Sequence, residues 1–317
     1  MISIIVPIFN AERKLERTLR DIQNQTLVEY EVIMIDDGSQ DKSADICKKI
    51  AKNDSRFRYY YQENQGVSIA RNNGLKQANG DYITFVDADD EIDQNYLEAL
   101  MNACRHSDIA VCDVVVECNG VEKQRFTGEC DVLSRDNAIN LLLCRKIINS
   151  GPCAKLFKRD VIGKNVFPVM KTYEDLLFNL LVFSNATTVT VTSETQYHYI
   201  DNPNSAMSGM KKRPSRDIII ASERIIQFIR EKRNIVAPEC LYVTISHLYQ
   251  YVLSMVHGES QWDNGFITES RFLYKKYLTD ILKCSAVPQK EKLVFICFAF
   301  GWIYDKKWIN VNGMRCV

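Results

Sequence analysis

The densest group of acidic side chains in the sequence is Asp87-Ala88-Asp89-Asp90-Glu91, with four carboxylates in five residues. Carboxylates this close repel one another unless a cation or solvent compensates their charge. Mg²⁺ and Mn²⁺ prefer oxygen ligands, and one or two carboxylates can hold such an ion while diphosphate oxygens fill its other positions. The group therefore fits a nucleoside-diphosphate site, and a solvated acidic loop that caps the next helix explains it equally well.

Two more polar groups lie at comparable places in the chain. Pro7-Ile8-Phe9-Asn10 ends the first predicted strand, Asp36-Asp37-Gly38-Ser39 follows the second, and the acidic group at 87–91 follows a later one. Alone, residues 36–39 are more typical of a turn with a helix cap. In an open parallel sheet, however, ligands bind beyond the carboxyl ends of the strands. The shared placement of the three groups therefore favours a single ligand site.

The elements that must position these groups follow an alternating pattern. Up to about residue 90, short β-rich runs alternate with helical periodicity, which predicts βαβ units and a largely parallel, doubly wound sheet. Ala11, Leu15, Leu19 and Ile22 predict a helix with one apolar face. The predicted strands are 2–8, 31–35, 57–61 and 82–86, and two further helices are predicted at 41–53 and 67–77.

Beyond residue 90 the pattern is more mixed. It predicts helices near 94–104, 135–146 and 173–183, a strand at 109–116, and two short strands at 187–192 and 195–200 joined by a turn, before a loop at 201–208. After the basic stretch 211–214 only helical periodicity remains, as at Leu241, Ile245, Leu248 and Val252. We therefore predict an α/β domain at 1–210 and a helical C-terminal domain at 211–317.

Composition narrows the class of protein. Forty basic residues balance forty acidic ones, so no global positive field favours binding to nucleic acid. Eleven cysteines without a CxxC pair predict reduced thiols and a cytoplasmic location. The opening apolar run lacks a basic region and a cleavage site, which predicts a strand and not a signal peptide.

The longest apolar run, Leu293 to Tyr304, is shorter than the roughly 20 residues that a membrane-spanning helix needs. Lysines flank it on both sides. Two interpretations stay open: a helix packed in a core, and a helix that lies on the inner face of the plasma membrane as a peripheral contact.

In type and order, the motifs resemble those of the inverting glycosyltransferases of family 2, which have the GT-A fold. The resemblance covers roughly residues 1–208. The segments that carry it are Ile4-Ile5-Val6-Pro7-Ile8-Phe9-Asn10, Asn24-Gln25-Thr26, Ile35-Asp36-Asp37-Gly38-Ser39, Asn64-Gln65-Gly66, Ala70-Arg71-Asn72, Gly80-Asp81-Tyr82-Ile83, Asp87-Ala88-Asp89-Asp90 and Tyr173-Glu174-Asp175. It implies a Rossmann-like nucleotide-diphospho-sugar transferase domain.

The resemblance also implies residues that contact the donor nucleotide. Pro7 and Phe9 would line the nucleotide base, and Asp37 would accept a hydrogen bond from uracil or another base edge. Asn64 and Arg71 would be further donor-site contacts. The planar guanidinium group of Arg71 suits a phosphate or a base.

A divalent ion is implied next to the donor. Asp87, Ala88 and Asp89 match the DxD motif of the family, with Asp89 as the more direct ligand of Mn²⁺ or Mg²⁺, and Asp90 either orients the sugar or only caps. His198 lies where some relatives have a residue that contacts the metal or the diphosphate. A histidine that simply belongs to a strand face explains His198 as well.

Transfer with inversion requires a base that deprotonates the acceptor hydroxyl. Glu174 and Asp175 resemble the Glu-Asp motif of the family, which makes Asp175 the predicted base and Glu174 its support. Without that resemblance, acidic residues in the first turn of a helix are explained by the helix dipole.

The resulting hypothesis is a metal-dependent transfer of a sugar from a nucleotide sugar, expected to be UDP-linked. The acceptor would be a hydroxyl of a saccharide or a polyprenyl-linked intermediate in capsule, exopolysaccharide or lipopolysaccharide biosynthesis. The alternative is a non-catalytic nucleotide-sugar-binding or scaffold protein of the same fold. A phosphatase of the haloacid dehalogenase type fits Asp90-Glu91 poorly, and a receiver module is far shorter than this chain.

Overall fold

The computed structural model of the chain describes residues 1–118, 121–126, 130–200 and 214–302, with the side chain of Gln124 left aside. The chain divides into two compact units, residues 1–202 and 203–317. The predicted boundary at 210/211 lies outside the described residues, as does the predicted loop at 201–208, and both stay predictions.

The described part of the first unit alternates strands and helices from its first residues onward. The elements are β1 (Ile2–Ile8), α1 (Leu15–Gln23), β2 (Tyr30–Asp37), α2 (Ser43–Asn53), β3 (Phe57–Gln62), α3 (Val67–Gln77), β4 (Tyr82–Phe85), β5 (Glu91–Ile92), α4 (Tyr96–Cys104), β6 (Ile109–Cys118), β7 (Val121–Phe126), β8 (Asp131–Ser134), α5 (Arg135–Cys144), β9 (Lys155–Lys158), α6 (Arg159–Ile162), α7 (Glu174–Asn185) and β10 (Thr188–Ile200).

These strands form one sheet in the order β3-β2-β1-β4-β9-β6-β10-β5, with β7 beside β6 and β8 beside β10. The first four strands are parallel, as the alternating pattern predicts. β9 is antiparallel to both β4 and β6, so the sheet is mixed beyond β4. The α/β class expected from the sequence is confirmed.

Helix α3 packs very closely on the sheet. A Cβ atom added at Gly74 would lie 2.3 Å from Ile5 Cγ2 of β1, so a larger residue does not fit there without a shift. Arg71 lies three residues earlier on the same helix, on the same face as Gly74. The glycine therefore sets how deeply Arg71 lies beside the strand ends.

The prediction of two short strands after residue 187 is wrong. Residues 188–200 form one strand, whose pairing with β6 shifts register between Thr192 and Gln196. Residues 193–195 of β10 have no partner in this pairing, since Thr192 pairs with Cys112 and Gln196 with Asp113, and such an irregularity bends a strand without ending it. The run therefore looks interrupted in sequence although the strand continues.

Beneath the strand ends lies an aromatic cluster. Phe167 and Phe178 stack with ring centroids 3.8 Å apart, and Phe85 of β4 packs edge-on against both. All three side chains are fully buried. Since Phe178 belongs to α7, this cluster fixes α7 against the strand that precedes the acidic group.

The described part of the second unit is helical, as predicted. Its helices are α8 (Asp217–Glu231), α9 (Pro238–Val256), α10 (Asn264–Lys276), α11 (Leu278–Lys283) and α12 (Gln289–Phe300). Leu241, Ile245, Leu248 and Val252 of α9 are buried. Within the described residues, none of the helices combines the length and hydropathy that crossing a membrane requires.

Candidate active site

The three polar groups of the sequence lie at one edge of the sheet, because β1, β2 and β4 are parallel neighbours and each group comes at or just after a carboxyl end. Pro7 is buried in β1 opposite Ile35, whereas the ring of Phe9 just beyond the strand is 53% exposed. Phe9 is therefore the aromatic face that this edge offers to a ligand.

Asp37 is buried and already holds the loop between β3 and α3. Its carboxylate accepts hydrogen bonds from the backbone N–H groups of Gln65 and Gly66, both at 2.8 Å, and from Gln62 Nε2 at 2.7 Å. Asn64 Nδ2 donates to the backbone oxygen of Asp37 at 3.0 Å. Both predicted donor-site contacts thus have partners within the protein, and replacing Asp37 would disturb this loop as well.

The carboxylates at 87–91 do not rely on a cation or solvent alone. Asp87 Oδ1 pairs with Arg71 Nη2 at 2.9 Å, and Glu91 pairs with Arg17. Asp90 accepts hydrogen bonds from a tyrosine hydroxyl and a backbone N–H group, both of which are neutral donors. The expectation that a bound cation or solvent must compensate this group is therefore wrong for most of its members, because α1, α3 and the strand β10 supply the partners.

Asp90 acts as an anchor for the acidic loop. It is 1% exposed, and its carboxylate accepts from Tyr197 Oη at 2.7 Å and from the Ile200 N–H at 2.9 Å. Burial raises the pKa of Asp90 well above its usual value, and the charges of Asp87 and Asp89 add to this effect. Of the two predicted roles, orienting a sugar or capping, the contacts favour the structural one.

The neighbouring backbone is held from the other side by α1. Thr18 Oγ1 donates to the carbonyl oxygens of Ala88 at 3.1 Å and Asp90 at 2.7 Å. Ala88 is itself buried. The loop is thus fixed between α1 and β10, with Asp89 at its open side.

Asp89 is the carboxylate best suited to a metal ion. Its side chain is 43% exposed, and the ion pair that it forms is a long one, 3.8 Å to Lys14 Nζ. Partial burial raises the pKa of Asp89, and the charge of Asp87 adds to this. A cation would relieve that repulsion. Within the described residues no set of three or more His, Cys, Asp or Glu side chains could hold a metal. An ion held by two carboxylates would need phosphate oxygens or water for its other positions.

Arg71 connects the acidic loop to α7. Its side chain is 6% exposed; Nη2 donates to Asp87 Oδ1 at 2.9 Å and Nη1 donates to Glu174 Oε1 at 3.0 Å. The guanidinium group also lies over the ring of Phe167 at 5.4 Å. Two of the donor nitrogens of this predicted donor-site residue therefore already bind carboxylates, and Arg71 links the acidic loop to the first turn of α7.

Glu174 and Asp175 open α7 after a backbone bend at Tyr173, whose φ of +66° lies in the left-handed region. Glu174 is 7% exposed, whereas Asp175 is partly exposed and accepts the Leu176 N–H at 2.7 Å. Burial raises the pKa of Glu174 to about 7, and the charge of Asp175 adds to this. Burial also raises the pKa of Asp175. Both carboxyl groups are therefore harder to ionise than in free solution.

Both ring nitrogens of His198, a predicted metal ligand, already have carboxylate partners within the protein. Its Nε2 lies 3.0 Å from Asp93 Oδ1 and its Nδ1 lies 2.9 Å from Glu117 Oε1. The two carboxylates raise the pKa of the imidazole against the effect of its burial. With both nitrogens engaged, the alternative of a histidine on a strand face fits better.

Two residues at the site were missed by the sequence prediction. Tyr197 is buried, accepts the N–H of Asp87 at 3.1 Å and donates to Asp90. Lys155 is fully buried on β9. A single lysine between Ala154 and the apolar pair Leu156-Phe157 is a sequence signal that could have indicated a buried cation.

The mixed sheet and the polar groups at its carboxyl edge define the class of protein: a GT-A nucleotide-diphospho-sugar transferase fold. The sequence profile of Glycosyl transferase family 2 matches residues 3–165, which is about half of the chain. The chain belongs to this family, as the motifs indicate, and so to the glycosyltransferases.

Two relatives and one solved structure illustrate the similarity. EpsH of Bacillus subtilis (strain 168), which bears a provisional glycosyltransferase name, is 28% identical over 246 residues, covering 74% of this chain and 70% of EpsH. The poly(ribitol-phosphate) β-N-acetylglucosaminyltransferase TarP of Staphylococcus aureus (strain N315) is 30% identical over 209 residues, 63% of either chain. The chain thus spans less than two thirds of TarP.

The crystal structure of S. aureus TarS 1-349 in complex with UDP-GlcNAc superposes with a TM-score of 0.70 at 20% identity, covering 91% of this chain and 82% of the TarS fragment. At this identity the likeness establishes the fold.

Proposed function

We propose that this glycosyltransferase moves a sugar from a nucleotide sugar to a hydroxyl group with inversion at the anomeric carbon, in a metal-dependent reaction. The observation that carries the proposal is the position of Arg71. It hydrogen-bonds Asp87 of the acidic loop and Glu174 beside the predicted base. The carboxylates proposed for the donor side and the acceptor side thereby belong to one hydrogen-bonded network around the buried Arg71.

UDP is the proposed nucleotide. TarS, with the same fold, has been crystallised with UDP-GlcNAc and with UDP, and TarP is named for the transfer of N-acetylglucosamine. Phe9 offers an exposed ring for stacking on the base. Pro7, Asp37 and Asn64 would form the rest of the base pocket, with the loop at 63–66 adjusting when the nucleotide enters.

Mn²⁺ or Mg²⁺ would be held by Asp89 with Asp87 and would stabilise the charge that develops on the departing nucleoside diphosphate. Asp90, Tyr197 and Thr18 keep the backbone of this loop in place. The protein's own part on the donor side is therefore to present two carboxylates at a fixed spacing.

On the acceptor side, Asp175 is the proposed base. It takes the proton of the acceptor hydroxyl as that oxygen bonds to the anomeric carbon, while the bond from that carbon to the diphosphate oxygen breaks on the opposite face. Glu174, held by Arg71, positions the first turn of α7. The products are the glycosylated acceptor, the nucleoside diphosphate and a protonated Asp175.

The proposed acceptor is a saccharide or a polyprenyl-linked intermediate of a bacterial surface polysaccharide, met at the inner face of the plasma membrane. The second unit supports a peripheral contact. Phe272 and Trp302 are 70% and 71% exposed, Phe300 stacks on Trp302 at 5.7 Å, and Lys275 Nζ lies over the ring of Phe300. Exposed aromatic rings beside a lysine suit a membrane interface.

The experiment is a thermal-shift screen of nucleotide sugars with and without Mn²⁺, followed by detection of nucleoside diphosphate release. A ligand at 100 times its Kd stabilises the folded state by about 2.7 kcal/mol. Asp89→Ala should lose the Mn²⁺-dependent part of the shift, whereas Asp81→Ala, at a carboxylate that is 82% exposed, should not. Shifts identical with and without a chelator would refute the metal role, and binding without any turnover would favour the non-catalytic alternative.

A further inference from the structure

Lys155 is a buried lysine whose hydrogen bonds all go to neutral oxygens within the described residues. Its side chain is 0% exposed, and Nζ donates to Asn149 Oδ1, to the carbonyl oxygen of Gly151 at 2.6 Å and to that of Cys153 at 3.3 Å. A buried ammonium group without a directly bonded carboxylate is costly. The positive charge of Lys155 is therefore expected to attract the nearest anionic side chain.

The loop that Lys155 binds is also bound by α7. Asn179 Nδ2 donates to the carbonyl oxygens of Ser150 at 2.8 Å and Gly151 at 2.9 Å. Asn179 is fully buried one turn beyond the start of α7. The segment 149–153 is thus clamped between β9 and the helix whose first turn contains Glu174 and Asp175.

The charges around these groups identify the anion. Burial lowers the pKa of Lys155 to about 8, and the groups that oppose this are Cys153, Cys112 and Asp175. Burial raises the pKa values of both thiols, which are therefore neutral near pH 7. Asp175 is the remaining anion.

Asp175 in turn is surrounded by several charged groups. Glu174 adjoins it in the chain, and Arg71, Arg145 and Lys155, in decreasing order of effect, lower its pKa against the effect of burial. Arg71 is already bound to two other carboxylates, so part of its charge is compensated. Lys155 has no such partner among the described residues.

We propose that Lys155 is a positioning residue for Asp175: it clamps the segment 149–153 against α7, and its positive charge attracts the carboxylate of Asp175. This rests on the proposed function, in which Asp175 is the base. Lys155 itself does not touch the reacting atoms.

The test is the pH profile of kcat, because a base that is harder to ionise moves the acid limb to higher pH. Lys155→Met should move the limb up by about half a pH unit or more. Asn149→Asp, which keeps the lysine and adds a carboxylate beside Nζ, should move it in the same direction. Lys158→Met is the matched control, since Lys158 lies on the same strand but pairs with Asp108 at 3.4 Å, and its limb should stay in place.

Asn179→Ala tests the contact between α7 and the segment 149–153 without changing the charge of Lys155. It should lower kcat or raise the KM of the acceptor without moving the acid limb, because no charge changes. Melting temperature and nucleotide Kd verify that each variant is folded. If Lys155→Met does not fold, Asn149→Asp carries the test alone.

Different results would refute the proposed function and the proposed role of Lys155. Wild-type protein without turnover would refute the proposed function, and an active Asp175→Asn variant would refute the assignment of Asp175 as its base. An inactive Asp175→Asn variant together with unmoved acid limbs in both Lys155→Met and Asn149→Asp would overturn the role of Lys155.

Discussion

Arg71 bonds two carboxylates that lie 16 and 103 residues away in the chain. Removing one partner of a buried, hydrogen-bonded ion pair costs about 3–5 kcal/mol of folding free energy. An inactive Arg71 variant could therefore be either unfolded or catalytically impaired, and activity alone would not tell these apart. Isosteric replacement of a carboxylate is more informative, because it changes one charge and keeps the shape. Glu174 and Asp175 differ in this respect: the first is bonded to Arg71, whereas the second is partly exposed.

Glu174→Gln should move the acid limb of kcat to lower pH. The base acts only when it is ionised, so the rate falls as the pH drops through its pKa, which burial raises in both carboxyl groups. Removing the negative charge of Glu174 makes Asp175 easier to ionise. The measurement is kcat between about pH 5 and pH 9, with an apparent pKa that belongs to the coupled pair. A dead Glu174→Gln beside an active Asp175→Asn would mean that the two roles are reversed.

At the scale of elements, local patterns predict much of the fold. The helix predicted at 67–77 and the strand predicted at 2–8 have the same bounds in the structure, because a single run of residues determines each. The polar groups at the strand ends were found for the same reason.

The rest depends on contacts between distant residues. The bond from Tyr197 to Asp90 joins residues 107 positions apart, and nothing in either segment indicates it. The engaged nitrogens of His198 likewise depend on Asp93 and Glu117, which come from two other segments. Local sequence therefore predicts which residues reach the site, and tertiary pairing decides which of them remain available to a ligand.

Tyr197→Phe should loosen the acidic loop from β10. Without the hydroxyl, the N–H of Asp87 loses its acceptor and Asp90 loses one donor, which should cost about 1–3 kcal/mol of folding free energy. Nucleotide affinity in the presence of Mn²⁺ should fall as well. Chemical denaturation and calorimetry measure the two effects. Tyr82→Phe, at a partly exposed side chain at the amino end of β4, is the control and should change neither. Equal stabilities of the two variants would show that β10 does not hold the loop.

At the scale of the whole molecule, charge is distributed unevenly although the total is balanced. Residues 203–317 contain 17 Lys and Arg against 10 Asp and Glu, so the second unit is basic and the first is acidic by the same margin. Each basic residue near an anionic membrane contributes about 1 kcal/mol of attraction. The basic unit is also the one with exposed Phe272 and Trp302.

The protein should therefore float with vesicles that contain anionic lipid, and less at high salt, because salt screens the attraction. A Phe272→Ser/Trp302→Ser double variant should lose most of the binding. Val28→Ser removes an apolar side chain of similar exposure, 71%, from the first unit and should bind like wild type. Flotation that is equal for neutral and anionic vesicles, or unchanged in the double variant, would contradict the membrane contact.

The most direct measurement is the comparison of Asp175→Asn with wild-type protein in two assays on one preparation: the Kd of the nucleotide in the presence of Mn²⁺, and the rate of nucleoside diphosphate release with nucleotide sugar and acceptor. A group needed in the transition state and not in the ground state lowers the rate without weakening binding. We predict an unchanged Kd and a rate that falls by about 10²–10⁴-fold, the usual contribution of a general base. A rate near that of wild type, with the same Kd, would show that Asp175 is not the base and that the network through Arg71 does not join the two halves of an active site.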